Sequence, residues 1–293
     1  MDLSTFIVSV FTFIDDWFQQ QSIRLRQRGP QPTLADSEVL TVEIVGAFLG
    51  ISTDKGTYDY FRRHWSHYFP KLSQVHRTTY VRQSANLWHV KGLLWRALLK
   101  QVSFDPAFSV VDSVPVPVCR FARATFCRRL RECSAYGYDE VARQTFFGVR
   151  AHLRICWPGV ITDLELAPAD VHELSVAEQF LSGLSGWALG DRNYWSPELA
   201  ERLREHGLHL LAPFKSSKRE KAPWPTWLKH KRYRIETVIG QLVDRFHAKR
   251  VWARDVWHFC SRWLRRVLSH TFAVYLCQQN GLSSLRFADL IVD

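Results

Sequence analysis

The chain has 293 residues, of which 46% are apolar and 14% aromatic, so it can bury a substantial core and is not a disordered protein. Its formal net charge of +11 favours a polyanionic partner, because clustered Lys and Arg neutralise phosphates and release counterions. The six cysteines have neither the paired spacing of zinc ligands nor the density of a disulfide framework, so we expect a cytoplasmic protein.

The first hundred residues are predicted to be helical. Phe6, Val10 and Ile14 repeat at the spacing of an amphipathic first helix. Asp15 and Asp16 interrupt this apolar stretch, which also lacks a basic leader, so a signal peptide is not expected. No apolar run reaches the roughly 18–20 residues that a bilayer requires, and no membrane partner is expected.

Two further helices are indicated by capping residues. Asp36 or Ser37 is expected to cap a helix that ends near Gly50, and Thr53 or Asp54 is expected to cap the next one.

A polar helix after residue 73 carries Arg77 and Arg82. Short helices with a polar, arginine-bearing third member are typical of a helix-turn-helix, although compact helical bundles share this pattern. We assign residues 1–103 to a helical DNA-binding domain, with Arg77 and Arg82 as DNA contacts.

The pattern changes near Phe104 to alternating strands and helices. β-branched and aromatic runs predict strands over 107–118, 144–156, 159–169, 186–191 and 208–214. Helical patterns cover 171–184, 196–207 and 233–246. Pro115 and Pro117 should confine the end of the first strand to an edge or a bend. The order β-β-β-α-β-α-β-α is that of ribonuclease H-like nucleases, although other α/β folds share such strings.

Residues 215–266 form a basic region. They contain fifteen Lys or Arg and four acids, so their net charge equals the +11 of the whole chain. Five tryptophans are interleaved with these charges, which a merely solvated surface would not need. The region therefore predicts nucleic-acid binding. Its last part belongs to a basic helical tail, residues 251–293, which is expected to pack on a catalytic domain of residues 104–250.

Three acids stand out by their surroundings. Asp112 lies among β-branched residues in the first predicted strand, Asp191 ends the fourth, and Glu236 lies on the last helix of the α/β region. A carboxylate buried without a partner is costly or becomes protonated, so each acid requires a cation. A salt bridge to arginine would satisfy any one of them. The three together predict a site for two Mg²⁺ or Mn²⁺ ions, because hard cations take oxygen ligands.

The chain resembles the DDE transposases of bacterial insertion sequences in five segments, VVDS, YGYDEVARQTFFGVRAHL, GVITDLELAPADVHE, GDRNYWSPEL and RYRIETVIGQL. It is most similar to the insertion-sequence-982 group of the wider fourth-insertion-sequence superfamily. The resemblance covers residues 104–250, and the N-terminal helices less distinctly. It implies a ribonuclease H-like α/β core with a mixed sheet, preceded by an all-helical DNA-binding region. By motif match, the catalytic and metal-binding triad is Asp112, Asp191 and Glu236.

The resemblance also implies the substrate and the reaction. The partners would be double-stranded DNA, as transposon ends and as target, and a second copy of the chain, since a homodimer is expected on DNA. Two divalent ions would support strand cleavage and strand transfer at terminal inverted repeats, and no organic cofactor site is recognisable. The protein would be associated with the nucleoid when it acts.

The signature helix of the superfamily carries Tyr seven residues before its Glu, Arg four before and Lys seven after. Arg232 matches the Arg, but Lys229 and Val243 stand at the other two positions. Arg232 is expected either to bind a phosphate or to form an ordinary i,i+4 ion pair with Glu236. We assign Lys229, Lys231, Arg232, Arg234 and Trp195 to DNA contact, with core packing as the alternative for Trp195.

The residues alone are also consistent with two other functions. A non-catalytic DNA-binding protein derived from a transposase would share the basic charge, and a ribonuclease H-like nuclease without strand transfer would share the triad. The remaining acids of this region, Asp163, Asp170 and Glu173, are expected to be surface or capping groups.

Overall fold

The computed structural model describes residues 1–21, 31–214 and 224–292, and their contacts form two units. The helical unit consists of Met1–Val102, Leu242–Ala248 and Trp252–Asp293. The sheet unit consists of Ser103–Gln241 and Lys249–Val251. The three consecutive domains expected from the sequence differ from this division at the C-terminal end, because Trp252–Asp293 groups with the N-terminal helices rather than with the sheet.

Helices and strands of the described residues are numbered here in chain order. The helices are α1 Leu3–Gln20, α2 Asp36–Phe48, α3 Asp54–His64, α4 Arg77–Asn86, α5 Trp88–Leu99, α6 Glu173–Leu181, α7 Pro197–Glu205, α8 Thr226–Asp244 and α9 Val256–Gln279. The strands are β1 Asp105–Arg120, β2 Ala135–Asp139, β3 Gln144–Trp157, β4 Val160–Pro168, β5 Gly186–Leu189 and β6 Leu208–Leu211. Within the described ranges, no helix has the length and apolar character needed to cross a membrane.

The predicted helical N-terminal region is confirmed, with one difference in capping. Thr53 caps α3 as expected, since its Oγ1 accepts a hydrogen bond from the Gly56 N–H at 3.0 Å. α2 begins at Asp36, so neither Asp36 nor Ser37 is its cap. The Glu38 carboxylate instead accepts from the N–H of Ala35, which precedes the helix, at 2.8 Å. A carboxylate in the first turn compensates for the missing side-chain oxygen of alanine.

Buried ion pairs connect four helices of the helical unit. Arg265 of α9 lies 2.7 Å from Asp54 of α3 and 3.3 Å from Glu43 of α2. Lys91 of α5 lies 2.7 Å from the other oxygen of Glu43, and Arg262 also pairs with Asp54. Burial alone would raise the pKa of Asp54, but the two arginines hold it well below its usual range.

These pairs change the interpretation of the basic C-terminal region. Arg265 and Arg266 are only 4% and 3% exposed, so they are core groups of the helical unit and not part of a DNA-binding surface. The charge run therefore overstates the positive surface of this part of the chain. The basic residues at 215–223 lie outside the described residues.

The sheet unit has one mixed, six-stranded sheet. β3 pairs β1 on one side, and on its other side it pairs β2 and then β4. β5 lies parallel to the other edge of β1, and β6 lies parallel to β5. β3 is antiparallel to its three partners, so it runs against the other five strands. The predicted mixed α/β architecture is confirmed, and the short strand β2 was not predicted.

Pro115 and Pro117 lie inside β1 rather than at its end. β1 pairs β5 only from Phe108 to Val110, so beyond this point one of its edges has no strand partner in the described sheet. Proline is tolerated there because it need not donate to a second strand. The pairing with β3 shifts register between Pro117 and Cys119, so the ladder is irregular directly after the second proline.

α6 and α7 cover one face of the parallel part of the sheet. Their apolar side chains form a buried cluster with β1, β5 and β6, made of Val111, Ala177, Leu181, Ala188, Tyr194, Leu199, Leu203, Leu208 and Leu210. This cluster fixes the strand ends at which the candidate site lies.

Candidate active site

Asp112 and Asp191 lie at equivalent positions relative to the neighbouring parallel strands β1 and β5. Val110 of β1 is in register with Leu189 of β5, and each acid comes two residues later in its own chain segment. Because parallel strands in register bring matching positions to the same height, the two carboxyl groups lie side by side at the carboxyl end of β5. The structure therefore brings together two of the three acids predicted from the sequence.

The two carboxyl groups are poorly solvated and repel one another. Burial raises the pKa of Asp112 to about 7, and the negative charge of Asp191 adds to this rise, although the Ser113 N–H donates to the carboxylate at 2.7 Å. Burial also raises the pKa of Asp191, as does the charge of Glu173. Arg232 acts in the opposite direction on both acids. A raised pKa means that the charged form of each carboxyl group is disfavoured, so a nearby cation would strongly stabilise the pair.

A tight turn fixes Asp191 at the end of its strand. Its carboxylate caps the short 3-10 helix Arg192–Tyr194 and accepts a hydrogen bond from the Asn193 N–H at 2.8 Å. A Cβ on Gly190 would lie 2.5 Å from the Cβ of the buried Tyr194, so this position requires glycine.

Glu236 lies apart from the paired aspartates, on α8. The helix buries Ile235 and Val238, whereas the Glu236 side chain is 43% exposed. Arg232, one turn earlier, places its Nη2 3.5 Å from the Glu236 carboxylate. Among the described residues, no group of three His, Cys, Asp or Glu side chains is arranged to hold a metal ion. Arg232 pairs with Glu236, and its positive charge also lowers the pKa values of Asp112 and Asp191.

Glu173 was expected to be a surface or capping group, and this expectation is wrong. It is the first residue of α6 and is only 8% exposed. Its carboxylate accepts a hydrogen bond from the Ser113 hydroxyl and lies 3.2 Å from the Arg150 guanidinium. Nothing in its spacing along the sequence links it to Asp112, because the contact depends on how α6 packs on β1.

The predicted DNA-binding cations of α8 differ in their surroundings. Lys229 is exposed. The Lys231 Nζ lies 3.1 Å from the ring centroid of Trp157, and the Arg234 guanidinium lies 5.0 Å from the same centroid. Such cation–π contacts orient the two side chains over an aromatic ring at the end of β3. Arg232 is the member of this group that interacts with the acids.

The other predicted DNA contacts lie elsewhere. Trp195 is partly buried and packs against Phe214, with ring centroids 5.5 Å apart, and Phe214 is itself 39% exposed. Arg77 and Arg82 are exposed on α4 in the helical unit. Five residues apart on a helix, they point about 140° away from each other and do not share one face.

Comparison with known proteins adds a family match for the sheet unit. The family model described as the transposase DDE domain matches residues 105–251 of this chain. Among solved structures, the cryo-EM structure of the piggyBac transposase synaptic complex with hairpin DNA is similar, with a TM-score of 0.49 and 10% sequence identity. That similarity covers 98% of this chain and 76% of the other. No curated protein matches the sequence.

Proposed function

The chain belongs to the transposase DDE domain family, and from that premise we propose that it is the transposase of a bacterial insertion sequence of the insertion-sequence-982 type. It binds the terminal inverted repeats of its element and catalyses metal-dependent strand cleavage and strand transfer. One observation supports this proposal most directly. Asp112 on β1 and Asp191 just after β5 each lie two residues beyond the register pair Val110–Leu189 of these parallel strands, inside the region that the family model matches.

The proposed fold of the sheet unit is ribonuclease H-like. Its support is the strand order β4–β3–β1–β5–β6, in which β3 alone runs against the others. The helices α6, α7 and α8, which follow β4 in the chain, add to this support. The carboxyl ends of parallel strands are the usual place for a site in open α/β sheets. Asp191 follows the carboxyl end of β5, and Asp112 lies on β1 two residues beyond the part that pairs with β5.

The family generally uses divalent metal ions, and the paired aspartates fit such ions. Both groups offer hard oxygen ligands, and their raised pKa values reflect a site that stabilises negative charge poorly without a cation. We assign Asp112 and Asp191 as ligands, with Glu236 as the third. Two bound Mg²⁺ or Mn²⁺ ions would supply Lewis-acid activation of the attacking and leaving oxygens of phosphoryl transfer.

Arg232 has the role of a phosphate-binding residue in this proposal. Its guanidinium lies 3.5 Å from Glu236 and stabilises the charged forms of Asp112 and Asp191. A guanidinium group can bind a phosphate through two parallel hydrogen bonds, so a DNA phosphate is a suitable ligand for Arg232. When Arg232 binds a phosphate, the Glu236 carboxylate is released from the i,i+4 pair and becomes available as a ligand.

DNA recognition is assigned to both units. Lys229, Lys231 and Arg234 would contact the backbone near the cleaved bond, since they lie on the same helix as Arg232. Arg77 and Arg82 on α4 would contribute to reading the terminal repeat, as in a helix-turn-helix, and the chain would act as a dimer on two ends. A cytoplasmic, nucleoid-associated location remains part of the same prediction.

The test is a cleavage assay on the ends of the element. The full chain is incubated with a labelled duplex carrying the terminal repeat in Mg²⁺, Mn²⁺ or Ca²⁺, and the nicks are mapped. Nicks at the repeat boundary in Mg²⁺ and Mn²⁺, followed by joining of the labelled end to a plasmid, are expected. Cleavage without joining would favour a nuclease, and binding without cleavage would favour a DNA-binding protein derived from a transposase.

A further inference from the structure

The connection between β1 and β3 presents arginines and aromatic rings to solvent. We call it the arginine–aromatic surface. Its exposed members are Arg120, Phe121, Arg123, Phe126, Arg128, Arg129, Arg131 and Tyr136. The catalytic assignment uses none of them.

Positive charge on this surface is not balanced locally. Residues 120–131 contain five arginines and no acid. None of these arginines forms an ion pair with another described residue. The first acids that follow are Glu132, Asp139 and Glu140, and Asp139 is already paired with Lys249 at 3.1 Å. A cluster of unpaired guanidinium groups attracts phosphates, because their neutralisation releases counterions.

Aromatic rings are unusually exposed beside these arginines. The Phe126 side chain is 86% exposed and Phe121 is 59% exposed. Tyr136 of β2 is 47% exposed and lies against Phe121, with ring centroids 5.5 Å apart. Apolar rings held in water are a cost in the isolated chain, so a partner that covers them would gain affinity.

Two buried residues anchor this connection to the fold. Ala124 is buried between the two exposed phenylalanines, and Leu130 is buried beside Arg129 and Arg131. Two short 3-10 helices, Phe121–Phe126 and Arg131–Cys133, order the backbone between these anchors. The backbone that carries the arginines and rings is therefore ordered, which lowers the entropic cost of binding.

We propose that the arginine–aromatic surface binds single-stranded DNA. Phosphates pair with the arginines, and unpaired bases stack on Phe126 and Phe121. A duplex hides the faces of its bases in its own stack, so it offers the phosphates but not the partners for the rings. The inference rests on the proposed function, because cleavage and joining of transposon ends expose unpaired strands.

The experiment measures the affinity of the full chain for a labelled single strand and for a duplex of the same sequence, without divalent metal, by fluorescence anisotropy. Phe126→Ala should weaken single-strand binding at least about fivefold and change duplex binding by less than about twofold. Phe126→Tyr is the matched control, because it keeps the ring and should bind as the original chain does. Phe126 is so exposed that neither change should alter folding, which a thermal melt verifies.

A second variant tests the charge. Changing Arg128 and Arg129 together to Gln should reduce the slope of log affinity against log salt by about 1.4 for a single strand, since each lost phosphate contact contributes about 0.7. Unchanged single-strand affinity in Phe126→Ala, or equal losses for single strand and duplex, would overturn the proposal. A change in self-association of Phe126→Ala without a change in DNA affinity would assign the surface to a second copy of the chain instead.

Failure of this inference is distinguishable from failure of the proposed function. If the original chain nicks its ends in Mg²⁺ but Phe126→Ala keeps full single-strand affinity, only the surface assignment fails. If the chain binds single strands through Phe126 yet never cleaves DNA, the transposase activity fails and the surface assignment stands.

Discussion

The Ser113 hydroxyl donates a hydrogen bond to the carboxylate of Glu173, which lies at the start of α6. Ser113 directly follows Asp112 on β1, and side chains alternate along a strand, so Glu173 packs beneath the sheet face opposite to that of Asp112. Arg150 of β3 completes the group, with its Nη1 3.1 Å from the Ser113 hydroxyl and 3.2 Å from Glu173. These three side chains connect α6 with β1 and β3 directly beside Asp112, which indicates a positioning role for Glu173.

Glu173→Gln tests this positioning role. The change keeps the size of the side chain and a hydrogen bond to Ser113, but it leaves the Arg150 charge without its partner. We expect the free energy of unfolding to fall by about 1.5–3 kcal/mol, the range for a hydrogen bond to a charged group, as measured by denaturant titration. Cleavage should fall as well, whereas single-strand binding through Phe126 should not change.

The matched control is Glu198→Gln, which removes a carboxylate from an exposed ion pair with Arg202 on α7. Its side chain is 84% exposed, so less than about 1 kcal/mol should be lost. An equal effect of the two substitutions on stability would contradict a positioning role for Glu173.

The positions of most strands and helices of the sheet unit were predictable from the sequence, because runs of β-branched residues and capping residues are local signals. The sequence predicted that Asp112 and Asp191 share a site. It did not predict that they lie side by side, because this depends on the register of β1 with β5. The short strand β2 was missed because it has only five residues, includes a glycine, and exposes its two tyrosines instead of burying an apolar face.

Two features depended on contacts between distant residues. The burial of Glu173 follows from packing of α6 against β1, which no spacing encodes. The charge run at the C-terminal end suggested a DNA-binding surface, but Arg265 pairs with Glu43 and Asp54 more than two hundred residues earlier. A count of charges does not show which of them are neutralised inside the fold.

Asp112→Ala and Asp191→Ala are each expected to abolish cleavage and leave binding to transposon ends within a few-fold. Both acids are assigned to the metal ions and not to the bases, so their loss removes chemistry rather than recognition. Ca²⁺ should support end binding without cleavage in the original chain, because its coordination is looser than that of Mg²⁺. A gel-shift titration beside a nicking assay measures both properties. Asp105→Ala, an exposed acid at the start of β1, is the control and should cleave normally.

His270 should contribute a pH dependence to the stability of the helical unit. Burial lowers the pKa of His270 from 6.5 to about 3, so the folded chain favours the neutral imidazole. Above pH 6.5 the imidazole is neutral in the folded and the unfolded chain, and the unfolding free energy is at its full value. As the pH falls from 6.5 toward 3, the unfolded chain binds a proton that the folded chain does not, so the unfolding free energy decreases. His270→Leu should therefore flatten the fall in unfolding free energy between pH 6.5 and pH 4, measured by denaturant titration at each pH. His89→Gln, at an exposed position, should keep the original slope.

Arg265→Met tests whether the buried C-terminal arginines stabilise the folded helical unit. The change leaves Asp54 with only Arg262 and Glu43 with only Lys91 as cationic partners in the described helical unit. Breaking a buried pair from one side costs about 3–5 kcal/mol, so the unfolding free energy should drop by that order. Arg286→Met removes an exposed pair with Asp289 and should cost less than about 1 kcal/mol. A folded Arg265→Met variant of normal stability that binds DNA weakly would return this arginine to the DNA-binding surface.

Glu236→Gln separates a catalytic carboxylate from a surface ion pair. The structure shows Glu236 exposed and 3.5 Å from Arg232, which by itself fits an ordinary i,i+4 pair worth well under 1 kcal/mol. The variant keeps the side-chain size, so folding should be nearly unchanged, and one fewer negative charge should leave end binding equal or stronger. If Glu236 is the third metal ligand, nicking and joining should be lost in Mg²⁺ and in Mn²⁺, since the ions lose a hard anionic ligand. Asp244→Asn, at an exposed acid on the same helix, controls for the change in charge and should remain active. Near-normal nicking by Glu236→Gln would leave the helix with a structural ion pair and remove Glu236 from the active site.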